Sequence, residues 1–267
     1  MLGKLMKYEI KATARTLIPL YIALLAFAII NKIFIGTGLA HKLEGFGSIP
    51  FILSILGYGC TMTAVFIVTF FVIIQRFYKN LLGDEGYLMN TLPVTTIANL
   101  TSKISIATFW NIVSGFVAIL SIIIMAFNPD AFSNFFRELF RGLSEGYAKF
   151  GMQIYIAIIE LIIAVLICLV KYVTMIYASI SIGHLFSKHR ILSSFGAFVV
   201  LNLITGAITS AIGVSFSFLN WENIFSQSES FFPIHMILGI VILFNLVFFI
   251  IYFIITNYIL KNKLNLE

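Results

Sequence analysis

Six long apolar segments dominate the chain, and each is long enough to cross a membrane as a helix. They cover residues 17–35, 50–75, 104–127, 153–182, 191–217 and 233–258. A membrane-spanning helix needs about 20 mostly apolar residues. No polar stretch between the segments is long enough to fold separately. The pattern therefore predicts an all-α polytopic membrane protein with six transmembrane helices, in which residues 1–267 form a single transmembrane domain.

The first 15 residues are amphipathic and differ from the spans. At about 100° per residue, a helix places Leu2, Leu5, Met6 and Ile10 on one face and its basic residues on the other. These basic residues are Lys4, Lys7, Lys11 and Arg15. We expect residues 1–15 to form an interfacial helix whose lysines meet anionic headgroups. A simple topology anchor is the alternative.

A second amphipathic stretch lies between the third and fourth spans. Its apolar residues recur at three- and four-residue spacing: Phe132, Phe135, Phe136, Leu139, Phe140 and Leu143. Arg137, Glu138, Arg141 and Glu145 lie between them. We expect an interfacial helix at the outer leaflet, with a lid or gate as the alternative.

Composition and charge exclude a soluble domain. Hydrophobic residues make up 60% of the chain and charged residues only 10%, against about 25% charged in soluble proteins. The net charge is +6, but the basic residues stand at the ends of apolar runs. They indicate topology and contact with membrane lipids, and they do not form the single basic face that nucleic acid requires.

The distribution of basic residues predicts the orientation. With an even number of spans, eleven basic residues fall on one side: Lys4, Lys7, Lys11, Arg15, Arg76, Lys79, Lys103, Lys188, Arg190, Lys261 and Lys263. Five fall on the other: Lys32, Lys42, Arg137, Arg141 and Lys149. Because positive loops stay inside, both termini are predicted to be cytoplasmic.

The sequence carries no catalytic or metal motif in the structural context that its chemistry requires. GxxxxGK[ST] and HExxH are absent, and Cys60 and Cys168 lie inside apolar segments far apart. GxSxG occurs once, at residues 142–146, but within the amphipathic stretch and not at the strand-to-helix turn that exposes a nucleophilic serine. A P-loop ATPase, a zinc enzyme of these classes and a disulfide framework are therefore not predicted. We expect this chain to bind no cofactor.

The loop at residues 76–103 is the most informative segment, because it contains the run GDEGYLMNTLP at 83–93. Gly83 can end the second helix. Thr95 or Thr96 can cap the third.

Between Gly83 and Thr95 the sequence predicts a short helix at the inner membrane surface. Asp84 can cap it with Glu85 in its first turn, and Pro93 stops it. It would present three side chains of the kind enriched at protein interfaces, Tyr87, Leu88 and Met89. We predict a docking site for a protein partner, and a bare connector is the alternative.

These residues carry a resemblance to a known family. The run Phe77–Pro93, the opening LGKLMKYE at 2–9 and the turn IGHLFSKHR at 182–190 resemble permease subunits of type-2 ABC exporters from Gram-positive bacteria. The turn departs from the family pattern at His184, where a glutamine is expected.

The resemblance implies a mechanism and partners. Two permease subunits, identical or paralogous, would pair with two separate ATP-binding subunits that hold ATP and Mg. Residues 1–15 would be the connecting helix, and the segment around Asp84–Leu92 the coupling helix seated on the ATPase. The second and fifth spans would line the path in the bacterial plasma membrane. The cargo would be an antimicrobial peptide, a drug or a lipid.

Polar residues inside the spans are candidates for the path. In the fifth span, Asn202, Thr205 and Thr209 lie among small residues that allow close helix contact. In the fourth span, Lys171 falls near mid-bilayer and Glu160 near the outer headgroups, about 16 Å apart along the axis. They cannot pair, so each needs a partner elsewhere or a wet cavity.

Alternatives to a path role remain open for these residues. The fifth-span residues also suit a subunit interface or ordinary packing. Lys171 suits a structural bond to a helix carbonyl or a tyrosine, contact with an anionic or peptide substrate, or proton coupling.

Two rival functions stand beside the exporter. An ATP-independent channel, transporter or lipid scramblase would explain six spans but not the 83–93 run. A membrane-embedded enzyme would use His184, His189 or Glu160, but no nucleophile–base pair is spaced informatively.

Overall fold

The computed structural model describes residues 2–36, 49–83, 95–186, 188–217 and 232–263, and every regular element in these ranges is a helix. The predicted all-α class is confirmed. The helices are α1 Leu2–Gly36, α2 Ile49–Phe77, α3 Thr96–Ala126, α4 Pro129–Phe150, α5 Gln153–His184, α6 Arg190–Ser217 and α7 Phe232–Asn262.

Six of these helices, all but α4, are long and apolar enough to cross a membrane. Each overlaps one of the six predicted segments, so the multi-pass membrane architecture is confirmed. Their surfaces carry many exposed Ile, Leu and Phe side chains. Such surfaces are stable only where lipid takes the place of water.

The predicted interfacial helix at residues 1–15 is helical, but it is not a separate element. It forms the first turns of α1, a single helix of 35 residues. No glycine or proline stands between Arg15 and the first span, and the helix continues through Pro19. Inside α1 the Thr13 hydroxyl donates to the Glu9 carbonyl oxygen at 2.8 Å.

The two ends of the 84–94 segment are defined by capping. At the end of α2 the chain widens into a π-helical turn, Tyr78–Leu82, and the Gly83 amide donates to the Tyr78 carbonyl five residues earlier at 2.8 Å. At the start of α3 the Thr95 hydroxyl oxygen accepts from the Ala98 amide at 3.3 Å. Both predicted boundaries are confirmed.

Contacts divide the chain into two units, each drawn from separated stretches of sequence. The first comprises residues 1–76 and 105–137, and the second comprises 77–104 and 138–267. Neither unit is a continuous segment, because the boundaries fall within α2, α3 and α4. The single domain expected from the sequence is not tested by this division.

The first unit has an apolar core crossed by polar contacts between helices. Leu17, Leu24 and Ala28 of α1 pack with Val65 of α2 and Trp110 of α3.

Within the same unit, Ser114 on α3 bonds to two other helices, through the Tyr21 hydroxyl at 2.8 Å and the Thr69 hydroxyl at 2.9 Å. Tyr58 and Ser121 form a similar bond at 3.0 Å. Such hydrogen bonds stabilise the association of membrane helices, because lipid tails are as apolar as the side chains and burial gives no hydrophobic driving force.

The second unit is centred on α5, which packs against both α6 and α7. Its core cluster joins Met175 and Ala178 of α5 to Phe248 and Tyr252 of α7. Gly183 allows α5 and α6 to approach closely, because a Cβ at this position would overlap the backbone of Ser194.

Candidate functional site

A cavity of about 430 Å³ lies within the second unit, lined by α5, α6 and α7. This volume is within the range of small-molecule sites, about 300–1,000 Å³. Its polar lining residues are Lys171, Tyr172, Asn202, Thr205, Thr209, Ser210 and Asn245, and Ile212, Ile240, Val241 and Phe244 supply most of the apolar wall.

Helical periodicity brings these polar residues together. Thr205 and Thr209 are one turn apart on α6, so both face the same side. Three of the residues are buried, with exposed fractions of 5% for Lys171, 6% for Thr205 and 7% for Asn245. Asn202, Thr209 and Ser210 are exposed. The cavity thus has a buried polar floor and an open polar rim.

Lys171 is the one charged residue of the lining. Its Nζ lies 4.3 Å from the centroid of the Tyr172 ring, which is a cation–π contact. No ion pair joins it to an acidic side chain in the part of the chain that the structure describes. A lysine in the middle of a spanning helix costs roughly 2.5–3.5 kcal/mol on insertion scales. The aromatic contact alone offsets only part of that cost, since such contacts contribute about 0.5–2 kcal/mol.

The neutral polar groups are partly committed to their own helices. The Thr209 hydroxyl donates to the Thr205 carbonyl at 2.7 Å, and Asn245 Nδ2 donates to the Val241 carbonyl at 2.7 Å. Thr205 also bonds to the Tyr252 hydroxyl. An amide nitrogen has two donors, so Asn245 keeps one N–H and its carbonyl oxygen for a ligand.

Four of the five predicted path residues line this one cavity: Lys171, Asn202, Thr205 and Thr209. The fifth, Glu160, does not line it. Its Oε2 lies 2.7 Å from Nδ1 of His235 on α7, and both side chains are about a quarter exposed. The partner that Glu160 requires is therefore a histidine near the start of α7.

The predicted docking residues Asp84, Glu85, Tyr87, Leu88 and Met89 lie outside the described residues. The structure does place both flanks of their segment in the second unit. Phe77, at the end of α2, stacks on Tyr177 of α5 with ring centroids 4.0 Å apart. Thr96, at the start of α3, donates its hydroxyl to Asn257 Oδ1 on α7 at 3.2 Å. The residues on both sides of this segment are therefore anchored to helices of the second unit.

The predicted connecting-helix residues lie along the first turns of α1. Lys7, Lys11 and Arg15 are exposed, and Lys4 belongs to the same helix. Contact between these basic residues and acidic headgroups stays a prediction.

Sequence reasoning missed three residues of this region: Tyr172, Asn245 and His235. A polar residue in an otherwise apolar span is a signal for Asn245, since such residues usually face protein or a cavity. Among the described residues, no cluster of three or more His, Cys, Asp or Glu side chains could hold a metal ion. The cavity lining brings together one cation, two amides and several hydroxyls, which are groups that can bind a polar ligand.

Comparison with known proteins gives no relative: no family model, curated protein or solved structure matches this chain.

Proposed function

We propose that this chain is the membrane-spanning permease subunit of an ATP-driven exporter of the type-2 ABC class. It provides the translocation path and docks a separate ATP-binding subunit, which holds ATP and Mg. It pairs with a second permease subunit, identical or paralogous, in the cytoplasmic membrane of a bacterium, with both termini in the cytoplasm. Its cargo is a lipophilic or amphipathic molecule such as a peptide, a drug or a lipid.

One observation carries this proposal: the flanks of the 84–94 segment are anchored to the helices that line the cavity. Phe77 stacks on Tyr177 of α5, and Thr96 bonds to Asn257 of α7. Lys171 is on α5, and Asn245 is on α7. A force applied to the loop by a partner is thereby transmitted to the cavity wall through packed helices, which resist compression.

The α5 end of this connection is tightly packed. Phe77 and Tyr177 are among the largest fully buried side chains in the described chain. The Tyr177 hydroxyl also donates to the Lys103 carbonyl of α3 at 3.5 Å, a long contact. The ring of Tyr78, one residue further, lies edge-on to His184 at the end of α5, with centroids 6.3 Å apart. A bare connector would not need this anchoring.

Co-purification of an ATPase tests the proposal. We expect the tagged full-length chain, extracted from its native membrane, to retain a companion that hydrolyses ATP. Tyr87→Ala combined with Leu88→Ala should remove that companion, because the docking side chains are lost. Phe135→Ala combined with Leu139→Ala is the matched control, since it removes an aromatic residue and a leucine from α4, on the predicted opposite side.

Two results would contradict the proposal. One is a wild-type preparation with no ATP-hydrolysing companion, which would favour an ATP-independent channel, transporter or scramblase. The other is a double variant at 87 and 88 that keeps the companion as well as the α4 control does.

A further inference from the structure

We propose that the cavity around Lys171 binds the acidic headgroup of an anionic amphiphile. As a statement about cargo this rests on the proposed exporter function, but as a statement about binding it concerns this chain alone. The shared chemistry is a phosphate, sulfate or carboxylate group joined to an apolar tail.

The charge of the cavity selects an anion. Lys171 is 5% exposed, lines the cavity and has no acidic partner among the described residues. No aspartate or glutamate belongs to the lining. A buried charge is costly alone and much less costly when paired and hydrogen-bonded. An acidic headgroup supplies the missing partner, whereas a cation would add a second unpaired charge.

Neutral donors surround the same space. The side chain of Asn202 at the rim has no hydrogen bond within the described chain, and neither has the hydroxyl of Ser210. Asn245 has one N–H left at the floor. Together with the ammonium group, these donors can satisfy the several oxygens of a phosphate, and hydrogen bonds to a charged oxygen are stronger than those between neutral groups.

The remainder of the wall explains why the ligand carries a tail. Ile212, Ile240, Val241 and Phe244 line the cavity beside the polar floor. Helix α6 is covered by this chain over little of its apolar length, so the rim is open to whatever surrounds the helix. A volume of about 430 Å³ suits a headgroup, and a longer apolar tail would extend along the helices.

Binding of dodecyl phosphate by the full-length chain in phosphatidylcholine nanodiscs tests this inference. We expect the wild type to bind dodecyl phosphate at least about tenfold more tightly than Lys171→Met, a difference of about 1.4 kcal/mol. Lys171→Arg should retain most of the affinity because it keeps the charge. Asn202→Leu, at the exposed rim, should weaken binding without threatening the fold.

Matched controls separate the site from the overall charge. Lys32→Met makes the same change in net charge within the first unit and should bind like the wild type. Dodecyltrimethylammonium should bind no more tightly to the wild type than to Lys171→Met. Phosphatidylglycerol added to the nanodiscs should compete with dodecyl phosphate if the ligand is a lipid, and inorganic phosphate should compete only if the free anion suffices.

Three results would overturn the inference. These are equal affinity of the wild type and of a folded, monodisperse Lys171→Met, tighter binding of the cationic amphiphile, and effective competition by inorganic phosphate alone. None of these measurements involves an ATPase. Failure of the inference therefore leaves the exporter proposal standing, and loss of the ATPase companion leaves the binding result standing.

Discussion

The ring of Phe77 lies flat against the ring of Tyr177, with centroids 4.0 Å apart and planes inclined by 9°. Phe77 ends α2 beside the predicted docking segment, and Tyr177 is on α5 six residues after Lys171. This pair joins the loop that we expect to meet the ATPase to the helix that carries the charge of the cavity.

Loss of this stack should loosen the end of α2. Phe77→Leu keeps an apolar side chain but removes the ring pair, which contributes about 0.5–1.5 kcal/mol beyond burial. We expect faster hydrogen exchange at residues 77–83 and lower resistance to unfolding in detergent. Phe116→Leu is the control, at an exposed phenylalanine that has no ring partner among the described residues. Equal exchange in the two variants would show that the stack does not hold the loop.

A close approach between α5 and α6 should make Gly183 intolerant of a side chain. A Cβ there would lie 2.5 Å from Cα of Ser194 and overlap its backbone nitrogen, and a backbone cannot rotate away. We expect Gly183→Ala to lower the free energy of unfolding by about 1–3 kcal/mol, as overpacking does.

The control is a glycine that has room for a side chain, so its substitution should not lower the free energy of unfolding. Gly239 of α7 has no atom within 4 Å of a built Cβ. Gly239→Ala should therefore be neutral or stabilise the helix by up to about 1 kcal/mol. Reversible unfolding in mixed micelles measures both variants, and a Gly183→Ala chain as stable as Gly239→Ala would contradict the close approach.

The polar contacts of the first unit should contribute measurably to its stability. Ser114 bonds to both Tyr21 and Thr69, and hydrogen bonds between membrane helices contribute about 0.6 kcal/mol on average. We expect Ser114→Ala to cost about 1 kcal/mol or more, measured by the same unfolding assay. Ser215→Ala removes a hydroxyl that is exposed and bonds only within α6, and it should cost less. The reverse order would show that the contacts are incidental.

Helix α4 should lie at a membrane surface. It has no buried residue, and Phe140 is 63% exposed, while Glu138 lies on the opposite face. In a chain with Cys60 and Cys168 replaced by alanine, we expect a spin label at Phe140→Cys to be more accessible to oxygen, which partitions into lipid, than one at Glu138→Cys. Equal accessibility would favour the lid, in which α4 packs on protein during part of its cycle.

The spans could be predicted from sequence because they depend on local composition. Length and hydropathy located four of the six helices within a few residues. Helix α1 begins at Leu2 and not near residue 17. Helix α3 begins at Thr96, where the capping residues but not hydropathy placed its start. Its first turns carry Asn99, Ser102 and Lys103, which are buried. Hydropathy alone predicts a loop for such polar residues, whereas in the structure they belong to α3 and their side chains are buried.

The cavity could be predicted only in part, because it depends on which faces of separate helices meet. Lys171 and Asn202 each stood out as polar residues in an apolar span, but nothing in the sequence places α5 beside α6 in a given rotation. The pairing of Glu160 with His235 spans 75 residues of sequence and has no local signature. The π-helical turn at Tyr78–Leu82 has none either, since its residues also suit an ordinary helix.

Photo-crosslinking from residue 87 in intact native membranes tests the central claim most directly. With p-benzoylphenylalanine in place of Tyr87, we predict an adduct with a soluble protein that contains a GxxxxGK[ST] loop, identified by mass spectrometry. The same crosslinker in place of Phe135 on α4 should not produce that adduct. A crosslinker at residue 87 that captures no nucleotide-binding protein, or captures one no more often than position 135 does, would contradict the account.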